Sequence, residues 1–230
     1  PEISPERLTP SAPSSASTFS LETSPSTVDE ARQESLIPKE SLSRLRVLGQ
    51  MGAIYLVADG PDGLYLIDQH AAHERVLFER VKDEVRNGVY ESQALLEPLT
   101  VELTYTQLEL ARESRKSLGQ YGFVLEEFGE RSYLLRGVPS VLDDSDPAQG
   151  LREVLDLMSS EFPLMERQDA IAASIACHGA IRAGKNLSTQ EMSELVRQLE
   201  DTNNPNTCPH GRPTMIRLSA QHLEREFGRR

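Results

Sequence analysis

Ile54-Tyr55-Leu56-Val57-Ala58 and Leu64-Tyr65-Leu66-Ile67-Asp68 flank the turn Asp59-Gly60-Pro61-Asp62-Gly63, and Gln69-His70 follows at once. Apolar, β-branched and aromatic runs on either side of a Gly/Pro/Asp cluster predict a hairpin-like pair of strands. From Gln69 a helix is expected to about Asn87, stopped by Gly88. One strand further out, Arg44-Leu45-Arg46-Val47-Leu48 alternates charged and apolar residues, as a half-buried strand does. Strands feeding directly into a long helix predict a mixed α/β (α+β) fold.

Downstream, Leu99–Leu103 reads as a short strand, Tyr105–Tyr121 as a helix, and Phe123–Phe128 with Tyr133–Val138 as a strand pair. Asp146-Pro147 opens a helix carrying Leu151, Val154, Leu155 and Met158. Gln168–Ala183 is Ala-rich enough to be a buried helix. Ser188 and Glu191 have capping-box spacing and start a helix to about Glu200. A loop over Asp201–Arg212, a strand over Pro213–Leu218 and a short helix over Ala220–Phe227 complete the chain. Upstream, residues 1–27 hold eight Ser, four Thr and five Pro. That composition offers little apolar surface against the entropy of ordering, so residues 1–42 are expected to be a disordered linker, with folded structure from near Ser43.

Composition narrows the function. With 24 Lys+Arg against 36 Asp+Glu the net charge is −12, and non-specific DNA affinity comes mostly from neutralising phosphates. A nucleic-acid role therefore needs a local basic patch or a partner that delivers the chain. The absence of Trp and 5% aromatic content argue against a base-stacking platform. No run approaches the ~20 apolar residues of a membrane helix. Two cysteines cannot build a disulfide framework and fit a reducing cytosol. The start at Pro1, without a basic-then-apolar leader, fits a processed chain or the C-terminal piece of a longer one.

Two segments concentrate metal-ligand chemistry. Asp68-Gln69-His70-Ala71-Ala72-His73-Glu74 and Cys208-Pro209-His210-Gly211-Arg212-Pro213 bring together carboxylate, imidazole and thiol groups, which first-row transition metals prefer. On a helix, His70, Glu74, Leu77, Val81 and Val85 fall within roughly 80° of one another. Two titratable groups thus head an inward-facing stripe, where an unpaired charge is costly and a metal ion removes the cost. Cys208 and His210 can face one ion if their loop is extended. Asp68 is an N-cap, a ligand, or both. Cys177 is a small core residue or a ligand. Glu79 lies on the opposite face, where helix-surface ion pairing accounts for it. A Cys–His nucleophile pair is the competing chemistry, but nothing organises an oxyanion hole at Cys208, and His70 and Glu74 stay unexplained.

These residues resemble the MutL family of DNA mismatch repair proteins, specifically the C-terminal domain of members that nick DNA. Asp68-Gln69-His70-Ala71, Glu74 and Glu79 match the family's nicking motif, and Cys208–Pro213 matches a second motif. Ala176-Cys177-His178 resembles a third, with His178 in place of a basic residue, and Phe227-Gly228-Arg229 a fourth. The resemblance implies a bacterial, cytoplasmic, metal-dependent endonuclease that nicks duplex DNA on the nucleoid during repair. It further implies a homodimer, action with the mismatch-recognition protein MutS through the full-length protein, and Zn2+ and/or Mn2+ as cofactor. Metal binding falls by resemblance to His70, Glu74, Cys177, Cys208 and His210, with Asp68 near or on a second ion. Arg212 and Arg229 are then candidates for steadying phosphate, or ordinary surface arginines. The ATPase domain is expected outside this chain, so no ATP site is expected here.

Gln93-Ala94-Leu95-Leu96-Glu97-Pro98 resembles the peptide that docks in the bacterial sliding clamp. Leu95 and Leu96 can anchor in an apolar pocket while Pro98 keeps the backbone extended; a buried connector is the alternative. The resulting expectation is a dimerisation and endonuclease subdomain (43–97 plus 166–230) carrying an inserted regulatory subdomain (98–165), with Gln93, Leu95, Leu96 and Pro98 as the clamp contact. The rival is a non-catalytic dimerisation and clamp-docking scaffold with a structural zinc.

Overall fold

The computed structural model describes residues 37, 44–88, 91–142, 146–182 and 184–229. Apart from Ile37, the segment read as a linker lies outside the described residues. Ile37 is buried; its N–H donates to Asn206 Oδ1 (3.0 Å) and its carbonyl accepts from Asn206 Nδ2 (3.1 Å). Packed structure therefore includes a residue ahead of Ser43, which the polar composition around it concealed.

Four antiparallel strands form the first sheet in the order β1-β2-β3-β7: β1 (Arg46–Met51), β2 (Tyr55–Gly60), β3 (Gly63–Asp68) and β7 (Met215–Leu218). The hairpin is as expected. The first strand sits two residues later than the alternation predicts, and within it the register slips between Val47 and Gly49, leaving Leu48 out of the pairing. Strand β7 begins at Met215 because Pro213 belongs to an isolated bridge with Thr207.

Helix α1 (Gln69–Asn87) starts and stops where the sequence predicts. Asp68 Oδ1 accepts from the amides of His70 and Ala71, both at 3.0 Å, and Gly88 closes the helix in the left-handed region (φ 66°). The second sheet has the order β4-β6-β5, with β4 (Ser92–Glu102), β5 (Val124–Glu127) and β6 (Ser132–Pro139). The expected helix over Tyr105–Tyr121 is two, α2 (Tyr105–Glu113) and α3 (Arg115–Gln120), broken at Ser114, whose ψ of 14° leaves the helical range. Helices α4 (Pro147–Met158), α5 (Leu164–Gly179), α6 (Thr189–Asp201) and α7 (Ala220–Glu226) follow. Helix α5 lies about four residues earlier than expected. Pro163 provides its start, and at Gly179 a Cβ would meet the Val141 carbonyl oxygen at 2.1 Å.

Two hydrophobic clusters hold the chain, and α1 serves both. Ala72 joins Leu56, Tyr65, Ile67, Leu199 and Met215 between the first sheet and α6. Further along, Leu77, Phe78 and Val81 join Val101, Leu135, Leu151, Leu155 and Ile175 around the second sheet, α4 and α5. The first sheet's other face carries an apolar patch bordered by Asp59 and Asp68. Register places Met51, Tyr55, Val57, Leu66 and Ile216 on it, and Met51, Tyr55 and Ile216 are exposed. An antiparallel sheet facing water usually alternates apolar with polar residues; this one does not.

Segment 93–98 is neither linker nor buried connector. It belongs to β4, where Ala94 pairs Gly137 and Leu99 pairs Leu135. Five steps on β4 thus span two on β6, so that Leu95–Pro98 lie opposite Arg136 alone and bulge from the sheet. Leu95 packs against the larger core, whereas Leu96 is fully exposed.

Candidate metal centre

The site is assembled at the first two turns of α1, where β3 ends. Three segments converge there. Helix α5 runs alongside α1 and delivers Cys177. The loop after it is gripped at Ile181, whose carbonyl lies 2.9 Å from His70 Nδ1 and whose N–H donates to His73 Nδ1 at 3.0 Å. The loop before β7 is tied down by the Asp68 amide, which donates to the Thr214 carbonyl (2.9 Å).

This third segment is held from α1 as well. Arg75 Nε donates to the Thr207 carbonyl, and the Glu79 carboxylate accepts from the amides of Asn203 (2.6 Å) and Asn204 (3.1 Å) and from Asn203 Nδ2 (2.8 Å). Glu79 is a loop anchor as well as a partner of Arg75. The tip, Cys208–Arg212, is a turn and not the extended segment expected. The Gly211 N–H donates to the Cys208 carbonyl (2.9 Å) and the Cys208 N–H to the Arg212 carbonyl (2.8 Å). The turn separates the two side chains: Cys208 is buried and His210 is exposed.

Glu74 is the centre of the arrangement. It is 0% exposed, and Oε2 accepts from Arg212 Nη2 at 2.9 Å. Its other oxygen, Oε1, is buried with no hydrogen-bond partner. Around Oε1 stand His70 Nε2 at 3.1 Å and His210 Nε2 at 3.9 Å. Ligand atoms of Glu74, Cys177 and His210 lie within 4.8 Å of one another, the group among the described residues that can share an ion. His70 flanks it; Asp68 is engaged as the N-cap, Cys208 stays outside among Arg75 and Arg212, and Arg229 is exposed beyond α7.

Does the donor set fit a metal? A carbonyl only accepts, so the Ile181 bond puts the His70 proton on Nδ1 and leaves Nε2, in the neutral ring, a lone pair. That lone pair faces an orphaned carboxylate oxygen, and two acceptors at 3.1 Å repel unless a proton or cation stands between them. A histidine with Nδ1–H on a backbone carbonyl and Nε2 free is the usual posture of a metal ligand. Cys177 is exposed at the end of α5, not a core residue; partial desolvation, then Glu74, pushes its thiol up, so that without an ion it keeps its proton. Burial, then Lys185 and His70, pulls His73 down to about 4, so it stays a neutral acceptor for Ile181. The residues fit a divalent cation.

Comparison with known proteins identifies the family. The MutL C terminal dimerisation domain model matches residues 48–187. The chain belongs to this family. It is 41% identical over 184 residues to a DNA mismatch repair protein MutL of Phenylobacterium zucineum, covering 79% of this chain and 30% of that protein. A MutL of Koribacter versatilis is 41% identical over 191 residues (82% and 30%), and one of Geotalea daltonii 39% over 224 residues (96% and 37%). The chain thus spans about a third of the length of the curated MutL relatives it matches. No helix among the described residues of this MutL-family chain is long and apolar enough to cross a membrane.

Sequence reasoning underrated three residues. Gln69, read only as part of a motif, is buried, and its Nε2 donates to the carbonyls of Ala53 (2.8 Å) and Lys185 (3.3 Å). His73, quoted only within the motif, holds Ile181, and Arg75 holds Thr207. The signal available was their place on α1: polar residues repeating through the first two turns, where apolar ones would otherwise sit.

Proposed function

We propose that this chain is the DNA-nicking endonuclease and dimerisation part of a mismatch repair protein, working with a divalent metal ion and stimulated by the sliding clamp. The observation that carries the reading is Glu74 Oε1, buried without a hydrogen-bond partner, 3.1 Å from His70 Nε2 and grouped with Cys177 and His210 within 4.8 Å. Glu74, Cys177 and His210 would hold the ion, with His70 beside them. Zinc suits thiolate and imidazole, and manganese the carboxylates. A bound divalent ion supplies Lewis-acid polarisation of a phosphoryl oxygen and an acidified water. Arg212, half-exposed and paired to Glu74, orients that carboxylate and offers its remaining N–H groups to a phosphate. Cys208 first, and Glu74 next, hold the Arg212 guanidinium above its ordinary value, so it is a permanent cation. Asp68 caps the first turn of α1 through Oδ1, and its carboxylate charge would serve a second ion, a role that Asn, an equally good cap, cannot fill.

A second copy of the chain is proposed to cover the apolar outer face of the first sheet, where Met51, Tyr55 and Ile216 are exposed. Duplex DNA, the clamp and, through the full-length protein, MutS are the other proposed partners. For the clamp, the supporting feature is the β4 bulge. It holds Leu96 out in solvent, with Pro98 lacking a backbone donor to the ladder. With a net charge of −12, a tether that raises local concentration at DNA has a clear physical use.

The test is nicking of supercoiled plasmid with manganese, with and without clamp, comparing the native chain, Asp68→Asn and Leu96→Ala. Nicking is expected to vanish in Asp68→Asn, while Leu96→Ala loses clamp stimulation and keeps its metal. A native chain that never nicks, yet binds zinc tightly, would favour the non-catalytic scaffold instead.

A further inference from the structure

The nuclease reading leaves one feature near the site without a role, the loop Ile181–Leu187 between α5 and α6. It is polar, and Arg182 and Lys185 on it are exposed. Such a loop is ordinarily free to move. This one is held at most of its described residues. Ile181 is bound through both backbone groups, by His70 and His73. The Gly184 N–H donates to the Ala53 carbonyl at 3.0 Å, and the Lys185 N–H to the Arg182 carbonyl at 3.3 Å. The Lys185 carbonyl accepts from Gln50 Nε2 (2.9 Å) and Gln69 Nε2 (3.3 Å), and the Leu187 N–H donates to Gln50 Oε1 (3.1 Å).

Three of these anchors, Gln69, His70 and His73, are consecutive polar positions in the first turns of α1, beside Glu74. The helix that presents the candidate ligand therefore also sets the backbone of a loop carrying two exposed cations. In a chain of net charge −12, a polyanion is repelled at long range, so positive charge at the site has to be fixed locally. Holding the loop rigid before binding reduces the ordering entropy lost when a phosphate is engaged.

We propose that Arg182 and Lys185 form a backbone-phosphate clamp that aligns one DNA strand with the Glu74 centre, and that Gln69 and His73 are positioning residues for it. The proposal rests on the nuclease reading. It requires contacts to phosphate rather than bases, hence affinity independent of DNA sequence and steeply dependent on salt.

The experiment measures binding of the full chain to short fluorescent duplexes of two unrelated sequences across a salt series. The variants are Arg182→Ala/Lys185→Ala, Arg182→Glu/Lys185→Glu, and Lys116→Glu as an exposed control on α3. Bound metal is measured on each. Removing the pair is expected to flatten the slope of log affinity against log salt by about 0.9 for each cation lost. Both duplexes should weaken alike, on the order of tenfold at low salt, with metal content unchanged. The charge reversal should weaken binding more, and Lys116→Glu should leave the slope as it is. A slope unchanged in the pair variants, an equal loss in Lys116→Glu, or a native chain that binds no duplex at low salt would overturn the clamp. Failure of the nuclease reading shows separately, as a native chain that neither retains metal nor nicks plasmid.

Discussion

The two halves of α1 bury different chemistry. From Leu77 onward the helix follows the amphipathic rule: Leu77, Phe78 and Val81 enter the larger core, and charged residues such as Arg80 pair at its surface with Glu84 and Glu91, both at 2.9 Å. Its first half buries Gln69, Glu74 and Arg75 and draws His70 and His73 toward the loops around it. The same helix geometry thus serves packing in one half and polar contacts in the other. Burying hydrogen-bonding groups is neutral to stability at best, and an unpartnered carboxylate oxygen is unfavourable. The difference teaches that the first half is shaped by something other than folding, and the loops it holds all bear on Glu74.

Three substitutions break or sharpen that contrast. The largest effect is expected from Glu74→Gln. Metal affinity should fall by about a hundredfold or more, with nicking lost, while the metal-free chain keeps or gains thermal stability because a buried charge is gone. Elemental analysis and melting curves read the two quantities separately; undiminished metal would erase the distinction between the halves. Ile216→Asp comes next and extends the contrast to the first sheet. A charge on its apolar outer face should weaken self-association by about a hundredfold, a change on the order of 3 kcal/mol. Sedimentation over a concentration series checks it, and an unaltered assembly would place the dimer contact elsewhere. The smallest is Val81→Ala, in the packing half, which should cost about 2 kcal/mol in urea unfolding through lost methyl burial and a small cavity. Metal content should not move; if it does, the halves are not independent.

Much of this was legible in the residues, for stated reasons. The hairpin, the limits of α1 at Asp68 and Gly88, and the Ser188–Glu191 capping box are local, and local chemistry is sufficient for them. The candidate ligands Glu74, Cys177 and His210 were legible as types and motifs, and they do come together. What escaped depends on tertiary approach. Nothing local says that Gly179 must end α5 against Val141, that β4 reaches back to Ser92 through a bulge, or that Cys208 and His210 diverge across a turn. The roles of Gln69, His73 and Glu79 were hidden for the same reason. Their partners are mostly backbone groups, at Ala53, Ile181, Lys185, Asn203 and Asn204, with no side-chain signature of their own.

The central claim is that a cation belongs beside Glu74 Oε1. An anomalous difference map, at the zinc absorption edge, of crystals grown with zinc tests it most directly. The account predicts a peak bonded to Glu74 Oε1 and shared with Cys177 and His210. A map with no peak there, and His70 Nε2 instead sharing a proton with Glu74 across the 3.1 Å contact, would contradict it.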